Sequence, residues 1–244
     1  TLPTGDSNKP VIITATGELK RTPPQTPTRD GVRVFSRMVM LSDGRIKGES
    51  TMHYGGTYAI SSRQAWHDRQ HKDPQNTVDW MLNRNKESGK GRFQYGDPLD
   101  LSTNWLVNTS YELDEIANLP GKSAFTLPYG LTMATIFHTS AYRQITDRVT
   151  PFKCDLYNID EHTELTLPEK VKIDQIPTDV FYNVPGIHYS ASYHRAGQVI
   201  RATRRLLIDF KRSVCDQADA IAWEKARLAI RRDVRSQVFV KQGQ

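Results

Sequence analysis

From Gly186 to Cys215 the sequence GIHYSASYHRAGQVIRATRRLLIDFKRSVC alternates so regularly that it admits one local structure, a long β-hairpin. Ile187, Tyr189, Ala191 and Tyr193 share one parity and His188, Ser190, Ser192 and His194 the other, the period-two pattern of a half-buried strand. The turn falls at Ala196-Gly197. Beyond it Ile200, Ala202, Leu206, Ile208 and Phe210 alternate with Val199, Arg201, Thr203, Arg205, Leu207 and Asp209, so one face is apolar and the other mostly wet. Two strands alone are marginal in water, and the rest of the chain must supply partners to cover the apolar face.

Upstream, Val11-Ile12-Ile13 reads as a short strand, followed by a surface crossing that carries Pro23, Pro24 and Pro27. Val32 to Met40 and Arg45 to Tyr54 flank Ser42-Asp43-Gly44, and Asp-Gly between two alternating runs is a strong hairpin signal. From Thr57 to Lys86 the period becomes helical. Tyr58, Ile60, Ala65 and Trp66, then Val78, Trp80, Met81 and Leu82, fall on two helices broken at Asp73-Pro74, where the proline opens the second. Strand-like composition returns at Arg92 to Gly96, Leu106 to Leu113 and Ala124 to Leu127. Further short strands between Pro151 and Val184, punctuated by Pro168 and Pro177, have the spacing of an antiparallel sandwich that the hairpin completes. Asp216 is a good N-cap, and Ala222, Trp223, Ala226, Ala229 and Ile230 form a helical apolar stripe behind it. The expected fold is α+β and mostly β: an antiparallel sheet with two helices over residues 1–135, then an antiparallel β-sandwich with a capping C-terminal helix over 136–244.

No apolar run approaches the roughly 18 residues that span a bilayer, so no membrane span is expected. The formal charge of +6 would permit a basic nucleic-acid-binding domain, but Lys and Arg are interleaved with Asp and Glu and no recognition module is present. Nucleic acid is therefore not the expected partner. His67 and His71, four apart with Asp68 after the first, could share zinc from one helix face and serve a hydrolase. The metalloprotease pattern has Glu in that place and a third ligand downstream, and two solvated histidines are the plainer reading. No metal and no cofactor are expected. Cys154, with Asp155, Asp160 and His162 after it, is a weak nucleophile, because it lies in a strand-like run and not at a helix N-terminus. Cys154 and Cys215 each border a strand-like segment, so one disulfide is geometrically plausible; two buried thiols are the alternative. Tyr182, Tyr189 and Tyr193 with Arg195 and Arg201 could line a groove for sugar or peptide, or the tyrosines could be strand-pair core residues with hydroxyls at the rim.

The order of segments carries a resemblance. Thr22-Pro23 after an Ile-rich strand, the Ser42-Asp43-Gly44-Arg45-Ile46 hairpin, Gly55-Gly56 before an Arg-containing helix, and Asp147-Arg148-Val149-Thr150-Pro151-Phe152-Lys153-Cys154 follow one another. The closing run is Tyr189-x-x-x-Tyr193-x-x-x-Gly197-x-x-Ile200-x-x-x-x-Arg205, with Val214-Cys215 beyond it. Over nearly its whole length the chain resembles the C-terminal region of bacterial multidomain transglutaminase-like proteins, in which a β domain of unknown function precedes a papain-like core and a β-rich region follows. That family's acyl-transfer Cys, His and Asp belong to the core, which would lie upstream of Thr1, and none carries over to a position here. The resemblance implies a non-catalytic accessory or recognition region, with the upstream core as partner and a peptide, glycan or protein as ligand. It also implies an exported, periplasmic setting, which would favour the Cys154 to Cys215 bridge.

Overall fold

The computed structural model describes residues 6–133, 135–141, 147 and 149–243. β1 (Pro10–Ile13) and β2 (Glu18–Arg21) pair as a small ribbon ahead of the proline-rich crossing. β3 (Gly31–Met40) and β4 (Ile46–Gly55) form the Asp-Gly hairpin, where Gly44 has φ +87° and any Cβ would lie 2.0 Å from the Ala117 carbonyl oxygen. Only glycine fits that turn. α1 (Gly56–His67) and α2 (Pro74–Asn85) follow, and the break between them falls where Asp73 accepts the Gln75 N–H and Pro74 opens the first turn.

The chain continues through β5 (Gly89–Tyr95), β6 (Trp105–Leu113), β7 (Gly121–Phe125), a short helix α3 (Ile136–Thr139), β8 (Phe152–Lys153), β9 (Tyr157–Thr166), β10 (Val171–Gln175) and β11 (Val180–Val184). The long C-terminal hairpin is β12 (Ile187–Ala196) with β13 (Val199–Ile208), followed by β14 (Val214–Cys215), α4 (Gln217–Asp233) and β15 (Val238–Gln242). Asp216 accepts from the Ala218 and Asp219 N–H groups while Asp219 accepts from the Asp216 N–H, a reciprocal cap for α4 that contributes about 1 kcal/mol.

Eight strands make one sheet in the order β11-β12-β13-β9-β3-β4-β6-β5, and three make a second, β10-β15-β7. The fold is α+β and mostly β. One pair departs from the antiparallel expectation: β3 runs parallel to β9 at the centre of the large sheet. Residue 135 does not divide the sheets either, because β3 pairs with β9 and β7 with β15 across it. β8 pairs with β14 beside the bond joining Cys154 to Cys215, whose Cα atoms are 5.1 Å apart.

Alternation along the strands decides what is covered. Met38, Met40, Ile46, Tyr111, Ile159, Leu165, Tyr189, Ile200 and Leu206 belong to the main core. So do Val78, Met81 and Leu82 of α2, Trp223, Ala226 and Ile230 of α4, and Val171, Ile173, Val238 and Val240 of the small sheet. A satellite core gathers Val34, Met52, Tyr54, Trp105 and Val107 with Trp66 of α1. Each buried Val, Leu, Ile or Met among them gains roughly 1.5–3 kcal/mol by leaving water.

Two titratable groups in this layer make stability depend on pH with opposite signs. Glu87 accepts the Tyr129 and Gly130 N–H groups at 2.7 and 2.8 Å, yet burial outweighs those donors and pushes its carboxyl from 4.5 up to about 7. His138 is buried, and that burial, with the Arg84 charge, brings its imidazole from 6.5 down to about 4. In the folded chain Glu87 holds a proton that the unfolded chain has released, so its contribution is lost as pH rises from about 4.5 to about 7. His138 is neutral folded and charged unfolded, so its contribution is lost as pH falls from about 6.5 to about 4. Thermal unfolding of Glu87→Gln should therefore improve relative to the parent chain as pH rises through the first window. His138→Gln should improve relative to it as pH falls through the second, and parallel profiles would refute the assignment.

Candidate recognition face

Among the described residues, helices and the small sheet cover one side of the eight-stranded sheet and leave the other side open. On that side Phe35 is 44% and Val39 49% exposed, although both sit on the central strand β3. The register lines the side chains up in rows across the strands. One row reads Ser192, Thr203, His162, Phe35, Thr51, Asn108 and Gln94 from β12 to β5. The next reads His194, Arg201, Glu164, Arg37, Glu49, Ser110 and Arg92, and on the other side of the first lie Arg205, Asp160, Arg33 and His53.

The rows converge on a groove of about 410 Å³ over β13, β9, β3 and β4. Phe35 lies against His162, their rings nearly parallel with centroids 5.0 Å apart, and meets the edge of His53 at 5.8 Å. Arg201 bonds Glu164 at 2.8 Å and Arg205 bonds Asp160 at 3.3 Å, whereas Arg33, Arg37 and Glu49 have no ion-pair partner among the described residues. The open side thus carries an aromatic centre with charged rows on either side of it.

The residues singled out from the sequence do not assemble into one site. α1 ends at His67 and His71 lies in the turn after it, so the shared helix face that a zinc pair requires does not form. Among the described residues no group of three His, Cys, Asp or Glu side chains could hold a metal ion. Cys154 is bonded to Cys215. Tyr182, Tyr189 and Tyr193 lie on the covered side of the sheet and Arg201 on the open side, because their parities differ across the paired strands. Arg195 is engaged by backbone carbonyls, of Gly197 at 3.0 Å and Ile173 at 2.8 Å.

Beneath α4 the tyrosines join a buried polar cluster. Tyr189 and Tyr193 donate to the two Asp233 oxygens at 2.5 and 2.8 Å, and Arg204 reaches Asp233 at 3.0 Å and the Tyr193 hydroxyl at 2.8 Å. Glu161 lies opposite Arg204 across β9 and β13 and accepts the Ile136 N–H at 2.6 Å; burial pushes its carboxyl up while Arg204 draws it back. The cluster ties α4 and α3 to the sheet. Its signal in the sequence was the parity of Arg204, which falls among Ile200, Ala202, Leu206 and Ile208 on the apolar side of β13.

No family model and no curated protein matches this sequence. Among solved structures the chain is similar to a candidate protease from Parabacteroides distasonis, at 17% identity and a TM-score of 0.38 over 49% of this chain. It spans 23% of that protein. It is also similar to baculovirus P35, at 8% identity and a TM-score of 0.21 over 89% of this chain and 98% of that one. No helix among the described residues is long and apolar enough to cross a membrane.

Proposed function

We propose that this chain is a non-catalytic recognition region of a transglutaminase-like, exported bacterial protein, and that the open sheet face is its binding surface. The observation that carries the reading is the open central face, where Phe35 stands between His53 and His162, with charges on either side that lack ion-pair partners among the described residues. An exposed aromatic on the middle strand of a large sheet is what a surface covered in use would have. The succession of segments supports the parentage, and the Cys154 to Cys215 bond agrees with an oxidising compartment. The shallow groove suits a protein surface better than a buried small ligand.

Histidine-selective labelling tests the face. In the longer protein that the resemblance implies, His53 and His162 should react several-fold more slowly than in the isolated, dilute chain, while His71 should react equally in both. Equal rates at all three would remove the reading. The isolated chain should also lack acyl-transfer and hydrolase activity, and turnover abolished by Cys154→Ala would overturn the non-catalytic assignment.

A further inference from the structure

We infer that the occupant of the open face is a second copy of this chain, docked face to face about a two-fold axis that runs along the strands between β9 and β3. The inference rests on the recognition reading above and adds the partner.

Its basis is the order of charges along the rows. Across β13, β9, β3 and β4 the charged row reads Arg201, Glu164, Arg37, Glu49, that is plus, minus, plus, minus. A two-fold axis along the strands lays this row on itself reversed. Glu164 of one copy then faces Arg37 of the other, and Arg201 faces Glu49. The outer row gives Asp160 opposite Arg33 by the same operation. Between the two charged rows His162 faces Phe35, so four rings form the centre of the contact. A patch that is its own electrostatic complement is what an isologous interface requires.

The charges that lack ion-pair partners among the described residues, Arg37, Glu49 and Arg33, each find one across the axis. Face-to-face sheets cross at about 30°, so register is best close to the axis, where the Glu164–Arg37 and His162–Phe35 contacts lie. The area suffices as well. Eight strands about 4.8 Å apart and some ten residues long offer on the order of 1,000 Å², against roughly 800 Å² per partner in a standard interface.

Sedimentation velocity from micromolar to millimolar chain tests the inference, with far-UV circular dichroism to verify folding of each variant. The 27.8 kDa chain should shift toward twice that mass as concentration rises. Arg37→Glu and Glu164→Arg should each weaken self-association by about tenfold or more, since each places like charges across the axis. Mixed in equal amounts, the two variants should recover it, because every contact between these two positions across the axis then again joins one acid to one guanidinium. A parent chain that stays at the monomer mass throughout would overturn the inference, as would a dimer indifferent to Arg37→Glu or a mixture that stays monomeric. If the parent chain is monomeric while His53 and His162 are shielded in the longer protein, the second copy is refuted and the recognition face stands.

Discussion

Asp233→Ala is expected to destabilise the chain by about 3–5 kcal/mol, a large fraction of the stability of a domain this size. The carboxylate lies at the end of α4 and accepts from Tyr189, Tyr193 and Arg204 in a site closed to water. Its removal leaves the Arg204 guanidinium buried with two hydroxyl donors that have lost their acceptor, and an uncompensated buried charge costs far more than the intact pair contributes. Glu161, across from Arg204, is a carboxyl that still faces the guanidinium, so adding Glu161→Gln to Asp233→Ala should deepen the loss. Replacing the ion pair with Asp233→Leu and Arg204→Met together should recover the part of the loss that the unpaired guanidinium causes. Denaturant unfolding reads all four proteins, and a loss below about 1 kcal/mol for Asp233→Ala would mean that the cluster is wet.

The second large effect belongs to the bond between Cys154 and Cys215. It closes a segment of 61 residues that contains β9 to β13, so it restricts the unfolded chain more than a short loop would. Replacing both cysteines with alanine should cost on the order of 2–4 kcal/mol. Denaturation with and without reductant gives the comparison. The parent chain should fall to the level of the double variant when reduced, and the double variant should not respond. Two free thiols by mass spectrometry, in protein matured under oxidising conditions, would refute the bond.

How much was legible in the sequence varied with the range of the interaction. The hairpin at Ser42-Asp43-Gly44, the helix break at Asp73-Pro74 and the Asp216 cap rest on neighbours in sequence, and all three lie where the residues direct. The parallel contact of β3 with β9 was not legible, because it joins residues about 127 apart and alternation alone does not choose a partner strand. The site followed the same rule. His67 and His71 needed one more helical turn, but α1 ends at His67 and the chain turns over residues 68–71. Tyr189 and Tyr193 were legible as covered residues, while Asp233 could not be matched to them until α4 had been laid across β12. The open face was half written in the wet parity of β13; that its neighbours would continue it across eight strands depends on the sheet order.

The parallel contact at the centre of the large sheet also bears on how the chain acquires its structure. Strands β3 to β6 can pair among themselves, and so can β9 with β11 to β13, but each block then ends in an unsatisfied ladder edge, at β3 and at β9, until the other arrives. Joining them closes a long loop before any contact offsets the lost entropy, so this step should be the slow one in refolding. A nascent chain stopped before β9 would carry β3 as a ten-residue adhesive edge, which makes timely synthesis of the later half a safeguard against aggregation.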